Sequence, residues 1–123
     1  MKESTINILK PLKFDIMVKK ELCVKVEIDR INKKLILETY TDEKVNNPFR
    51  MPEPKIINAM EFIESRCFPR ERGNCDELLK RLGLDEYDPV AITRITRGLM
   101  MDDYMWIRYE GDDVTYEEIK IRD

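Results

Sequence analysis

Hydrophobic and polar residues alternate through the first third of the chain. A period of two over residues 14–18, and again over residues 22–28 with Cys23 on the polar side, is typical of strands that have one buried face. Residues 35–41 are apolar and β-branched enough to form a third strand. The sequence therefore predicts an antiparallel β-meander within residues 1–41. Its tight turns are expected near residues 19–21 and 30–34.

Prolines mark the boundary between this predicted sheet and the rest of the chain. Pro48, Pro52 and Pro54 cannot donate to a strand ladder, and they disfavour a helix. Residues 42–55 are therefore predicted to form a linker. Neither side of that linker is large enough to fold well alone, so we expect residues 1–123 to form a single domain.

Apolar residues recur at helical spacing after the linker. The first stripe begins at Ile56, and Pro69 and Gly73 stop it. A second helix is predicted to begin at Asn74, where a capping box with Glu77 is expected. Its buried face is predicted to comprise Leu78, Leu79 and Leu82, with Gly83 just beyond its C-terminal end.

A third helix and a strand are predicted nearer the C-terminus. The helix starts at Asp88 and Pro89, an N-cap residue followed by proline at the first helical position. Its predicted buried face consists of Ala91, Ile92, Ile95 and Leu99. Residues 104–109 form a strand, and residues 114–121 form either another strand or one helical turn capped by Thr115. The predicted fold class is α+β, with an N-terminal antiparallel β-meander, two to three helices, and a C-terminal strand that joins the sheet.

The composition argues against catalysis and against metal binding. The 123 residues include no histidine, which removes the commonest general base and the commonest metal ligand. Cys23, Cys67 and Cys75 form no CxxC pair, so neither a zinc site nor a disulfide scaffold is expected. We therefore predict a protein that is not an enzyme and that has no catalytic residue, no metal and no cofactor.

Charge and hydropathy limit the cellular location and the class of partner that we expect. The net charge is −3. A chain without an excess of basic residues is not expected to bind nucleic acid, and this charge is also too weakly negative for a general mimic of DNA. No apolar run approaches the length of about 18 residues that a membrane helix requires. The N-terminus lacks the apolar core of a signal peptide. These features predict a cytoplasmic location without membrane contact.

The clearest candidate site is the arginine loop, which we define as residues 65–74. It places Arg66, Arg70 and Arg72 before the predicted helix start at Asn74. Arginine binds phosphate or carboxylate through two parallel hydrogen bonds, and helix N-termini attract anions. The sequence therefore predicts an anion-binding or partner-binding site formed by these four residues. The alternative is a solvated loop whose arginines pair with nearby acidic side chains, namely Glu64, Glu71 or Asp76.

Three other groups of residues have both a functional and a structural interpretation. Residues 100–106 hold three methionines and Trp106, which suit either adaptable protein binding or core packing. Acidic residues concentrate in residues 101–123, where they either cap helices and face solvent or dock a basic partner. Cys67 lies within the arginine loop and Cys75 directly follows it, and a packing role is favoured for both because the chain has no histidine to activate a thiol.

The C-terminal half of the chain resembles a known protein family. Residues 64–72 (ESRCFPRER), 99–107 (LMMDDYMWI) and 113–119 (DVTYEEI) resemble the N-terminal accessory region of HipA-like serine/threonine kinases from bacterial toxin–antitoxin modules. The kinase core, with its ATP-binding and catalytic residues, has no counterpart in this sequence, so no catalytic role carries over. The positions that the resemblance singles out are Arg66, Arg72, Asp103, Tyr104, Trp106 and Thr115.

The resemblance implies a non-enzymatic protein-interaction module. It would be an accessory or regulatory partner of a HipA-like kinase in a bacterial or mobile-element system, with Asp103, Tyr104 and Trp106 contacting the partner. A second hypothesis is a phage- or plasmid-encoded inhibitor of a host defence or nucleic-acid enzyme, since an acidic C-terminus suits a basic channel. A third hypothesis is weak binding of nucleic acid or another anion through the loop from Arg66 to Arg72.

Overall fold

The computed structural model describes residues 10–121. Its strands are β1 (Leu12–Val18), β2 (Glu21–Asp29), β3 (Lys34–Thr39) and β4 (Met105–Tyr109), and its helices are α1 (Ile56–Ser65), α2 (Cys75–Arg81), α3 (Pro89–Thr96) and α4 (Tyr116–Ile119). A short 3-10 turn, Lys44–Asn46, lies between β3 and α1. Within residues 10–121, no helix is both long enough and apolar enough to cross a membrane.

The four strands form one antiparallel sheet in the order β3-β2-β1-β4. The first three make the predicted meander, and β4 returns from the helices to pair with β1, so the predicted α+β fold is confirmed. The start of the predicted meander, residues 1–9, lies outside the described residues. This order places β3 and β4 at the two edges of the sheet.

The main core lies between one face of the sheet and α1. Phe14 and Ile16 of β1, Val24 of β2 and Ile63 of α1 are buried together there. Burial of each such side chain stabilises the fold by roughly 1.5–3 kcal/mol. Phe49 of the predicted linker also enters this core, so the linker is part of the packed domain as well as a connection.

An irregularity in the β1–β2 pairing changes the predicted pattern. The register shifts between Ile16 and Met17, so that Ile16 lies opposite Val24 and Met17 lies opposite Leu22. This shift leaves Cys23 out of the register, and its side chain is fully buried. The prediction that Cys23 lies on the polar side of its strand is wrong, because the bulge interrupts the strict alternation of faces. Burial raises the pKa of the Cys23 thiol.

A second apolar cluster lies on the opposite face of the sheet. Met17, Trp106 and Tyr116 form its buried part, and Tyr116 belongs to α4, so this helix covers one end of the face. The C-terminal segment therefore forms one helical turn and not another strand. Thr115 is its N-cap residue, and the Thr115 N–H donates to Oε1 of Glu118 at 3.0 Å, as a capping box requires.

The second helix is less regular than predicted. α2 follows Asn74, but within the described residues the Asn74 side chain makes no capping hydrogen bond, so the predicted capping box with Glu77 is absent. Of the three leucines on the predicted buried face, Leu79 is buried, whereas Leu78 and Leu82 are half-buried. Gly83 adopts a φ of 76°, as expected just beyond a helix C-terminus.

The third helix begins as predicted but is rotated relative to the predicted face. Oδ1 of Asp88 accepts a hydrogen bond from the Val90 N–H at 3.1 Å, which confirms the N-cap. The hydroxyl of Thr93 is buried and lies 2.7 Å from the hydroxyl of Tyr109. Ile95 is exposed instead, so its predicted burial is wrong. Thr93 and Ile92 therefore form the buried face of α3.

Candidate functional site

The outer edge of β4 is occupied by the side chain of Arg66, which follows the last turn of α1. Arg66 is only 8% exposed. Its Nε donates to the Gly98 carbonyl at 2.9 Å, and its Nη2 donates to the Met105 carbonyl of β4 at 2.7 Å. Nη1 and Nη2 also bind the two oxygens of Asp103, at 2.7 and 2.8 Å. The guanidinium therefore joins α1, the loop after α3 and the edge strand.

Residues 97–99 occupy the rest of this edge. The N–H of Ile107 in β4 donates to the carbonyl of Arg97 at 2.8 Å. Arg97 and Gly98 have positive φ angles of 57° and 66°, which turn the chain against the strand. A Cβ at Gly98 would lie 3.0 Å from the Cβ of Arg66, so this close approach requires glycine. We call the arrangement of β4, Arg66 and residues 97–99 the blocked edge.

The predicted partner-binding residues of the β4 region lie at or beside the blocked edge. Trp106 is 0% exposed, and its Nε1 donates to the Lys19 carbonyl at 2.8 Å. A partner contact by Trp106 does not fit this burial, and the alternative of core packing accounts for it. The Asp103 carboxylate binds Arg66. Tyr104 is half-buried, and Nζ of Lys19 lies 4.4 Å from the centre of its ring.

The structure divides the arginine loop into a buried and an exposed part. Arg66 belongs to the blocked edge and cannot reach an external anion. Arg70, Arg72 and Asn74 are exposed. Nη2 of Arg70 lies 4.0 Å from Oε1 of Glu64, an exposed pair of small energetic value. Among the described residues, the side chain of Arg72 has neither a hydrogen bond nor an ion pair. The predicted site of four residues is thus reduced to three that a ligand can reach.

Cys67 of the arginine loop and Cys75, which follows the loop, differ in exposure. Cys67 is buried, and its Sγ lies 3.4 Å from the Ile63 carbonyl. Burial raises the pKa of the Cys67 thiol to about 11, so the thiol stays protonated and unreactive at neutral pH. Cys75 is half-buried at the start of α2. The geometry at Cys67 matches the packing role expected for it.

Several of the acidic C-terminal residues are engaged in ion pairs. Oδ2 of Asp112 lies 3.0 Å from Nε of Arg97. Glu117 contacts Lys120 at 3.0 Å and Lys20 at 3.6 Å, and the hydrogen bond from Lys120 lowers the pKa of the Glu117 carboxyl. Within residues 10–121, no group of three or more cysteine or acidic side chains is arranged to hold a metal ion. These carboxylates therefore stabilise local structure.

The face of the sheet away from α1 carries charges in alternating order. One row across the sheet, from β4 to β3, consists of Arg108, Asp15, Lys25 and Glu38. Nη2 of Arg108 lies 2.9 Å from Oδ2 of Asp15. The neighbouring row consists of Glu110, Lys13, Glu27 and Ile36. Opposite charges on adjacent strands stabilise the sheet, and the second row ends in an isoleucine at β3.

β3 forms the other edge of the sheet, which we call the open edge. Within residues 10–121, β2 is the only segment whose backbone pairs with β3. Ile36 is 45% exposed, and Tyr40, just beyond the strand, is 54% exposed. The Tyr40 hydroxyl donates to Oε2 of Glu38 at 2.6 Å. The open edge therefore offers backbone groups, an apolar side chain and a carboxylate to an added strand.

Sequence reasoning did not identify the open edge as a site, although a signal for it exists. Leu35, Ile36 and Leu37 are three consecutive apolar residues at the centre of a strand. In a strand with one buried face, the middle position should be polar. Leu35 and Leu37 pack against the core, which leaves Ile36 on the exposed face. An apolar residue out of phase at an edge strand is thus the sequence mark of this surface.

Comparison of the chain with protein-family models, with curated proteins and with solved structures finds no match. The resemblance to HipA-like kinases therefore stays a prediction.

Proposed function

We propose that this protein is a non-enzymatic protein-interaction module that binds another chain by strand addition at the open edge. One observation carries the proposal: β3 is an edge strand with an exposed isoleucine at its centre, while the opposite edge of the same sheet is blocked. Strand addition supplies affinity through main-chain hydrogen bonds and specificity through alternate side chains. Ile36 and Glu38, which share the exposed face, are the side chains that would select the partner.

An exposed apolar residue on an edge strand needs an explanation. Exposed edges promote unwanted association, and proteins usually shorten them, cover them or place charges on them. This chain covers one edge with Arg66 and residues 97–99, whereas on the other it places Ile36 between the charged residues Lys34 and Glu38. Such a difference between two edges of one sheet supports a binding role for the uncovered one.

On the resemblance, we propose a HipA-like kinase as the partner, which the module would then regulate. A role as inhibitor of a nucleic-acid enzyme receives less support from the geometry, because Asp103, Asp112 and Glu117 are already paired within the chain. Anion binding through the arginine loop also receives less support, because Arg66 is buried.

The test compares two exposed isoleucines. Ile36 lies on the open edge, and Ile57, which is 62% exposed, lies on α1. The tagged wild type, Ile36→Arg and Ile57→Arg are used to capture proteins from the native host. Each protein captured is then purified and tested for direct binding. Both substitutions add the same charge at an exposed position, so the fold should be retained in both.

A partner that binds the wild type and Ile57→Arg but not Ile36→Arg, also with purified components, is the expected result. Equal binding by all three proteins would place the interaction outside the open edge and would contradict the proposal. Loss of binding in both variants would point to a general effect of added positive charge and would also contradict it.

A further inference from the structure

We infer that the strand added at the open edge is β3 of a second copy of this chain, so that the protein forms a two-fold symmetric dimer with a continuous eight-stranded sheet. The inference rests on the proposed function, because it names the partner of the same edge. It is drawn from the order of side chains along β3, which is complementary to itself in one antiparallel register.

The register that matches is centred on Ile36. In an isologous two-fold contact, each residue that meets a second one is met by it in return. Centring the pair on Ile36 puts this residue opposite Ile36 of the second copy. Lys34 then lies opposite Glu38 of the second copy, and Glu38 lies opposite Lys34 of the second copy. Both ion pairs and the apolar contact fall on the exposed face of the sheet.

The other face of the strand fits the same register. Leu35 lies opposite Leu37 of the second copy, and both leucines are half-buried against the core of their own chain. Pairing in this register would therefore join the two cores along their leucine side chains. Directly opposed residues must share a face of the sheet, so only registers that keep the exposed residues together are possible.

The neighbouring registers match poorly. Centring the pair on Lys34 or on Glu38 would place that residue opposite the same charge. Centring it on Leu35 would place Lys34 opposite Ile36, and centring it on Leu37 would place Ile36 opposite Glu38. The register centred on Ile36 is the one that pairs both charges.

The alternating row of charges continues across the proposed interface. Within one copy, this row runs from Arg108 to Glu38 with a change of sign at each strand. Across the interface the next residues are Lys34 and Asp29 of the second copy, which are partners in the β2–β3 register. The sign of the charge therefore keeps alternating across the boundary between the chains. Such charge complementarity is expected of a specific interface.

The blocked edge explains why association should stop at two copies. A sheet with two open edges can add chains without limit. Here the backbone at β4 is occupied by Arg66 and by the carbonyl of Arg97, so residues 10–121 of each chain offer one edge. Two chains use both open edges and close the assembly.

The dimer should be weak. One strand pair buries less area than the roughly 1,000 Å² typical of stable interfaces, so we expect a dissociation constant between about 1 μM and 1 mM. Sedimentation of the full chain is therefore measured up to about 1 mM, the weak end of this range. The wild type should shift from monomer toward dimer as its concentration rises.

Charge exchange tests the register directly. Glu38→Lys opposes two lysines at each end of the interface, and Lys34→Glu opposes two glutamates, so each variant alone should lose at least tenfold in affinity. The double variant K34E/E38K should regain the dimer. An equimolar mixture of the two single variants should form a mixed dimer, because each then meets its opposite charge. Glu61→Lys, which changes the net charge by the same amount as Glu38→Lys at an exposed position of α1, is the control for net charge and should dimerise like the wild type. Because positions 34 and 38 also face Asp29 and Lys25 of their own chain, circular dichroism first checks that each variant keeps its fold.

The outcomes separate this inference from the proposed function. A wild type that stays monomeric up to about 1 mM, or single variants whose mixture forms no dimer, would overturn the self-pairing inference. If a different protein still binds at the open edge and is lost with Ile36→Arg, the proposed function stands with another occupant. If neither the second copy nor another protein binds at Ile36, the self-pairing inference and the proposed function are both wrong.

Discussion

The two edges of the sheet are protected in opposite ways. At the blocked edge, a buried arginine and a turn with two positive φ angles occupy the backbone of β4. At the open edge, β3 has an exposed isoleucine and, within residues 10–121, no backbone partner except β2. The comparison shows that charged residues which look like binding groups in a sequence can serve the fold, while an ordinary strand residue marks the candidate interface.

The largest expected effect comes from removing the side chain that blocks β4. Arg66→Met should lower the free energy of unfolding by about 3 kcal/mol, because the carbonyls of Gly98 and Met105 and the carboxylate of Asp103 lose their donor. Arg70→Met removes an exposed arginine of the same loop and should cost less than about 0.5 kcal/mol. Urea denaturation followed by circular dichroism measures both. Equal effects in the two variants would show that the blocked edge contributes nothing special to stability.

The next effect tests the close approach at Gly98. Gly98→Ala places a Cβ at a φ of 66° and 3.0 Å from the Cβ of Arg66, and we expect a loss of about 2 kcal/mol. Gly83→Ala is the matched control, since its φ is 76° and its added Cβ would have no neighbour within 4 Å. Backbone strain alone should cost this control about 1 kcal/mol. Thermal denaturation of both variants measures the difference between their losses of stability. Equal losses would show that the Arg66 side chain moves aside and that the close approach does not require glycine.

Tyr109 of β4 should make the free energy of unfolding depend on pH in the alkaline range. Tyr109 of β4 is buried, and burial raises its pKa from 10.0 to about 12. The unfolded state loses this proton first, so the contribution of Tyr109 to stability is present below pH 10 and is lost as the pH rises toward about 12. Tyr109→Phe should therefore make stability fall less steeply over this range than in the wild type.

At neutral pH, the same Tyr109→Phe substitution removes the hydrogen bond with Thr93 and should cost about 1 kcal/mol. Urea denaturation at several pH values measures both effects. A wild type and a variant whose stabilities decline in parallel above pH 10 would contradict the raised pKa of Tyr109.

The smallest effect concerns the open edge. The hydrogen bond to Glu38 is the main reason that the pKa of Tyr40 is raised. Glu38→Gln should therefore lower the pKa of Tyr40, since an amide accepts this bond less strongly than a carboxylate does. A titration of the Tyr40 ring signals by NMR checks the direction, and Tyr109 serves as the internal control because its pKa should not change.

The strands and the fold class could be predicted because their periodicity is local. Phe14 and Ile16 alternate with charged neighbours, and this pattern persists in the structure. The failures occur where a distant contact decides. Cys23 is buried by a bulge in pairing with β1, and Thr93 lies on the buried face of α3 in place of Ile95, with its hydroxyl 2.7 Å from that of Tyr109. Neither effect is visible within one helical or strand repeat.

The candidate site was harder to predict for the same reason. The residues that bind the Arg66 guanidinium lie 32 to 39 positions away, so the sequence shows only an arginine beside other arginines. Trp106 is likewise held by a carbonyl 87 positions away. At the open edge, the informative residue was local, since Ile36 breaks the alternation expected of a strand with one buried face.

The position of Trp106 also provides an optical probe. It is the single tryptophan of the chain, and its ring is shielded by Met17 and by Tyr116 of α4. Its fluorescence should therefore be blue-shifted in the native protein, and a red shift should report the release of the C-terminal turn from the sheet. Because this reporter lies beside the blocked edge and away from Ile36, it can follow unfolding without a label in the presence of a ligand of β3 that itself contains no tryptophan.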